Sequence, residues 1–146
     1  MTAKFGTDGI RGIYGETLCE KDAFALGAAL GKAGKLLIGR DNRPSSPTLA
    51  RAVACGAASV GGEAAAVGVI TTPALYYLLS RSKCTYGVMV TASHNPPEYN
   101  GLKVFTKTGK PDSELRREIE RRMASPLPVY DPTFPYREEV TCFRPR

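Results

Sequence analysis

The chain has one histidine, four scattered cysteines and no long apolar run among its 146 residues. Each scarcity excludes something. No stretch approaches the roughly 20 apolar residues of a membrane span, and "MTAKFGTDG" lacks the charged and apolar regions of a secretory leader. A cytoplasmic protein with no membrane partner is therefore expected. Cys19, Cys55, Cys84 and Cys142 form no C-x-x-C pair, which argues against a zinc site; Cys55 falls in an alanine-rich helical pattern and reads as a small core residue. There is no G-x-x-x-x-G-K-[ST], no G-x-G-x-x-G after a strand and no G-x-S-x-G. Low-complexity and repeated segments are also missing, so most of the chain should be ordered.

What is present is a chain of single-domain size with ordinary apolar content and a formal charge of +6. The positive balance admits nucleic acid or a small phosphorylated substrate as partner. The densest basic run, "ELRREIERRM", interleaves Arg116, Arg117, Arg121 and Arg122 with Glu114, Glu118 and Glu120 at helical spacing. That pattern favours a solvated helix face over a nucleic-acid surface.

Hydrophobic periodicity then sets the order of elements. A helix over "CEKDAFALGAALGKAGK", with Gly34 as its C-cap, leads to a buried strand at 36–39. A second helix opens with Ser46 as N-cap and Pro47 at its first position. A strand follows at 63–70, then a helix with Thr72 as N-cap and Pro73 at its first position, then strands at 86–90 and 101–105. The last helix is capped by Asp112 or Ser113. Alternating strands and helices predict an α/β fold: a three-layer α/β/α sandwich around a mixed, mostly parallel sheet of about four strands. The step from 90 to 101 is too short for a helical crossover, so those two strands should pair antiparallel. "FGTDGIRGIYG" has the spacing of a turn or hairpin. Residues 1–124 form the domain, and 125–146, with five prolines, read as a tail or the start of a linker.

The single histidine stands in "TASHNPP" (91–97), a loop that leaves the carboxyl end of a strand, where α/β sheets bind ligands. Ser, Asn and Pro also make ordinary surface turns. Ser93 and His94 are adjacent, so their side chains point apart, which disfavours a Ser-His hydrolytic pair. Phosphoryl transfer through a phosphorylated serine remains, and it needs cations and donors nearby; Arg11, His94 and Lys103 are the candidates.

"FGTDGIRG" (5–12) and "TASHNPPEYNGLKVF" (91–105), with "IGRDNRPSS" (38–46) and "GVITTPAL" (68–75), resemble the first domain of the α-D-phosphohexomutases, over roughly residues 4 to 122. The form of the first motif is most similar to the phosphoglucosamine mutase branch. The resemblance implies that Ser93 carries a phosphoryl group, passes it to a hexose phosphate to form a hexose 1,6-bisphosphate, and takes one back from the other oxygen. It implies that Arg11 holds the phosphoserine, that Lys103 moves a proton or balances charge, that His94 lies beside the transferring group, and that Asn95 joins Arg11, Ser93 and Lys103 in binding substrate or phosphate. Asp8 is expected to be a turn former. The phosphorylated Ser93 would also give Mg²⁺ one oxygen. The aspartate loop completing that metal site, the sugar-selecting loop and the phosphate-binding loop belong to the family's domains II–IV, and none is found in this sequence. The chain alone is therefore expected to be inactive, to have domains II–IV as partners and to self-associate. A stand-alone phosphate-binding or interaction module is the competing reading.

Overall fold

The computed structural model describes residues 5, 6 and 8–139. Thr7, Cys142 and the end of the proline-rich segment lie outside the described residues. Ten elements follow in order: β1 (Phe5–Gly6), β2 (Gly9–Ile13), α1 (Glu20–Gly31), β3 (Leu36–Arg40), α2 (Ser46–Ser59), β4 (Ala64–Val69), α3 (Thr72–Arg81), β5 (Tyr86–Val90), β6 (Tyr99–Thr106) and α4 (Ser113–Met123).

One six-stranded sheet runs β1-β2-β6-β5-β3-β4. β3 pairs parallel with both β4 and β5, while β6 pairs antiparallel with β5 and with β2. Four strands therefore point one way and β1 and β6 the other, and the short step between β5 and β6 is the antiparallel return that its length predicts. The sheet has six strands rather than about four. The two extra strands are the opening hairpin, two and five residues long and rich in glycine. Their alternation is too short to register as strands, and the partner that recruits them, β6, lies some ninety residues away.

Side-chain alternation divides the sheet into two faces. Ile10, Leu36, Ile38, Val88, Val90, Leu102 and Val104 meet α1, α2 and α4 in the main core. Leu37, Met89 and Phe105 point the other way, onto Leu75 and Leu79 of α3. β3 and β5 are covered on both faces, which is why "LLIG" and "GVMV" are continuous apolar runs.

Helix starts shift by one residue from the expected positions. The N-caps are Ser45 and Thr71, not Ser46 and Thr72. Thr71 Oγ1 accepts from Ala74 N at 3.3 Å. Ser46 is unavailable as a cap because its hydroxyl donates to Asp41 and accepts from Asn100. Asp112 caps α4, accepting from Leu115 N at 2.8 Å. Gly34 is not the C-cap of α1, which is Lys32; a Cβ at Gly34 would lie 2.0 Å from Thr85 Oγ1, so close passage of the chain requires glycine there.

The described part of the proline-rich segment, 125–139, is irregular and lies against the domain. Tyr130 meets Phe24, with ring centroids 5.8 Å apart. Glu138 takes a two-pronged bond from Arg40, at 2.6 and 3.1 Å, and accepts from Tyr136 Oη. Glu139 N donates to Ala66 O at 2.7 Å, so the strap partly pairs the outer edge of β4. Arg40 first, then Tyr136, holds the Glu138 carboxyl below its usual range despite burial.

α1 and α2 touch backbone to backbone. A Cβ on Gly27 would stand 2.0 Å from Val53 O, and one on Gly56 would stand 2.0 Å from Phe24 O. Gly27→Ala would gain about 1 kcal/mol of helix propensity but force two helices apart against an unyielding carbonyl. A net loss of about 2 kcal/mol is expected in urea unfolding.

Candidate active site

β3, β4 and β5 run parallel, so their carboxyl ends share one edge of the sheet, and the loop after β5 carries Ser93 there. Among the described residues Ser93 is the only non-glycine with positive φ, at 56°. It is exposed, and its Oγ accepts from Lys103 Nζ at 2.7 Å. Lys103 reaches it because β6 returns antiparallel beside β5, with Lys103 opposite Met89.

The loop's shape comes from the segment after β3. Asp41, directly beyond that strand, extends the ladder by donating its N–H to Val90 O at 3.0 Å. Its carboxylate accepts from the Ser46 hydroxyl at 2.5 Å, the Thr91 hydroxyl at 2.6 Å, Arg43 N at 3.1 Å and Arg43 Nε at 3.0 Å. Burial pushes the Asp41 carboxyl up, but the Ser46 and Thr91 hydroxyls and the Arg43 donors together hold it below its ordinary value. Arg43 then spreads its remaining donors over the serine loop. Nη1 donates to Pro96 O at 2.7 Å and Tyr99 O at 3.1 Å, and Nη2 donates to Ser93 O and Asn95 O, each at 2.9 Å. Ser93 N donates to Thr91 Oγ1 at 3.0 Å.

Arg11 lies on β2 opposite Gly101. A Cβ at Gly101 would be 2.7 Å from Thr91 O and 2.9 Å from Arg11 Cγ, so the Arg11 stem crowds the start of the loop. The Arg11 guanidinium pairs with Asp8 at 3.4 Å, and Lys110 Nζ pairs with the same carboxylate at 3.1 Å. Lys110 foremost, then Arg11 and Lys103, draws the Asp8 carboxyl below its usual range. Asp8 is thus both a turn residue and the counter-charge to Lys110, Arg11 and, more weakly, the Lys103 that bonds Ser93.

Of the residues singled out from sequence, Ser93 and Lys103 are in direct contact. His94 is exposed, and its ring makes no hydrogen bond to the described residues. The Asn95 side-chain amide donates to Ala92 O at 2.9 Å, closing the turn. Sequence reasoning missed Asp41, Arg43 and Thr91 as parts of the site. The first two had a signal: they follow a buried strand at the same carboxyl edge as the serine loop.

Among the described residues no group of three or more His, Cys, Asp or Glu converges to hold a metal. Ser93 offers one oxygen, and the Asp41 carboxylate is already committed to four donors. The described residues do not by themselves make the six-oxygen shell that Mg²⁺ requires. Among the described residues, no helix is long and apolar enough to cross a membrane.

Residues 2–127 match the family model of the phosphoglucomutase/phosphomannomutase α/β/α domain I. The chain is 51% identical over 122 residues to a phosphoglucosamine mutase of Thermotoga neapolitana, covering 82% of this chain and 28% of that protein. It is 42% identical over 142 residues to one of Frankia alni, covering 86% and 31%. It thus spans less than a third of these relatives' length. Among solved structures it resembles a candidate phosphomannomutase of Thermus thermophilus, with a TM-score of 0.76 and 31% identity over 83% of this chain and 30% of the other. A phosphoglucomutase/phosphomannomutase family protein of Burkholderia thailandensis gives a TM-score of 0.71 and 29% identity over 82% of this chain and 29% of that one.

Left-handed backbone at a serine costs about 1–2 kcal/mol, and glycine avoids most of it. Ser93→Gly is therefore expected to stabilise the chain by about 1 kcal/mol in urea unfolding, which would mark the serine as kept for chemistry at the expense of stability.

Proposed function

Because the chain belongs to the phosphoglucomutase/phosphomannomutase family, as its α/β/α domain I, we propose that it is the phosphoryl-carrying part of a phosphohexomutase of the phosphoglucosamine mutase type. The observation that carries the reading is the 2.7 Å bond from Lys103 Nζ to the Oγ of a left-handed, exposed serine. A serine that gives away a phosphoryl group leaves as an alkoxide. A donor already aimed at that oxygen stabilises the charge as the bond to phosphorus breaks.

In this reading Ser93 begins phosphorylated. A free hydroxyl of the hexose phosphate attacks phosphorus, the P–Oγ bond breaks, and the sugar becomes a hexose 1,6-bisphosphate. The sugar hydroxyl loses a proton and Ser93 Oγ gains one, with Lys103 Nζ as the nearest donor. After the sugar turns over, Oγ attacks the other phosphate, giving the proton back, and the 1- and 6-phosphates have exchanged. The bisphosphate is both intermediate and activator. Arg11, its stem beside the loop, would swing from Asp8 to the phosphoserine oxygens, and His94 stands exposed on the side the sugar would approach. Asn95 contributes by closing the turn that presents the serine.

The reaction needs both ends of the sugar held, which one domain of this size cannot do. Domains II–IV of a longer chain would supply the sugar contacts and the other ligands of an Mg²⁺ ion that binds one oxygen of phosphorylated Ser93. A cytoplasmic location fits this activity, and the free cysteines Cys19, Cys55 and Cys84 suit a reducing compartment.

In the full-length protein, Ser93→Ala is expected to abolish interconversion of glucosamine 1- and 6-phosphates. Lys103→Ala should lower kcat about 100- to 1,000-fold, as for loss of one oxyanion donor. The 146-residue chain alone should show no steady turnover in a coupled assay. Activity retained by Ser93→Ala would overturn the reading.

A further inference from the structure

Arg43 has no step in the chemistry above, yet it is the most heavily bonded side chain beside the serine. All five of its N–H groups are engaged: Nε on Asp41, Nη1 on the carbonyls of Pro96 and Tyr99, and Nη2 on those of Ser93 and Asn95. Its side chain is only 12% exposed. In this arrangement no donor remains for a phosphate.

We infer that the Asp41–Arg43 pair is the positioning device that sets the conformation of the reactive serine, an inference that rests on the carrier role of Ser93. Both peptide groups of Ser93 are fixed from this pair. Its carbonyl is held by Arg43 Nη2. Its N–H is held by Thr91 Oγ1, which is itself fixed by donating to Asp41. With both groups tied, the backbone cannot relax from φ 56°, and Oγ stays aimed at Lys103 Nζ. The fork is essential to this. A guanidinium spreads its donors over a plane and reaches the carbonyls of four residues, whereas a lysine ammonium presents three donors from one point. The pair is also mutually neutralised, so it shapes the loop without adding another cation that would retain the phosphoryl group on this domain.

The role predicts a loss in the chemical step with substrate binding intact. In the full-length protein, Arg43→Lys should lower kcat about 100-fold, the scale expected for a reacting group displaced by about 1 Å. KM for the hexose phosphate should stay unchanged, because Arg43 does not touch substrate. Thr91→Val, which keeps the volume but removes the oxygen linking Asp41 to Ser93 N, should do the same. In the 146-residue chain, amide exchange should show Ser93 N–H protected in the wild type and unprotected in both variants, with α1 and α4 unaltered. If Ser93→Ala is inactive while Arg43→Lys and Thr91→Val keep wild-type kcat, the positioning role is overturned and the carrier role stands. A raised KM with unchanged kcat in Arg43→Lys would overturn it too, by making Arg43 a substrate ligand. If Arg43→Lys does not fold, Thr91→Val decides alone. Activity in Ser93→Ala would remove the carrier role itself.

Discussion

A guanidinium largely withdrawn from water must find an acceptor for every N–H, and Arg43 finds all five on Asp41, the serine loop and the first residue of β6. Beyond the buried Ala92 the serine loop is largely exposed, and its shape is that of carbonyls gathered around one cation. Asp41 makes this tolerable by neutralising the charge and by taking the Ser46 and Thr91 hydroxyls on its remaining lone pairs. The pair is only partly withdrawn from water, 12% exposed at Arg43 and 25% at Asp41, so breaking it costs less than the about 3–5 kcal/mol of a fully buried pair. A left-handed serine costs about 1–2 kcal/mol. The five hydrogen bonds from Arg43, each worth about 0.5–1.5 kcal/mol net, together outweigh that strain, and the strained backbone can persist at an exposed loop.

The sheet order makes the clamp possible. β3 and β5 are parallel neighbours, so the loops that follow them emerge side by side at one edge. β6 then turns back antiparallel along β5 and brings Lys103 to the serine, while the opening hairpin adds to β6 and brings Arg11 to the same region. Gly101 permits the approach, since any side chain there would meet Thr91 O and the Arg11 stem. The fold thus assembles the site from four places in the sequence: 8–11, 41–46, 91–99 and 100–103. Asn100 ties two of them together, its buried amide donating to the Ser45 and Ser46 hydroxyls.

The parts of this structure legible in the sequence were those governed by local pattern. The apolar runs "LLIG" and "GVMV", the proline-marked helix starts and the short gap between β5 and β6 each follow from short-range rules, and each lies within a residue or so of its expected place. The serine loop was legible for a similar reason, since it follows a buried strand and carries turn residues. The edge hairpin was not counted as part of the sheet, because a two-residue strand takes its identity from a distant partner. The clamp was hidden for a related reason. An aspartate and an arginine two apart in "RDNR" look like a solvated pair, and nothing nearby in sequence shows that the arginine's other acceptors lie some fifty residues on. Ser46 was misread as a cap because its hydroxyl is claimed by that same distant network.

The central claim is that this clamped serine carries the phosphoryl group. The most direct measurement is to place that group. The full-length protein would be incubated with glucose 1,6-bisphosphate, quenched during turnover and mapped by peptide mass spectrometry. The account predicts a single phosphorylated residue, Ser93, whose phosphate is lost when excess hexose monophosphate is added. A phosphate on any other residue, or an unmodified Ser93 in protein that is turning over, would contradict it.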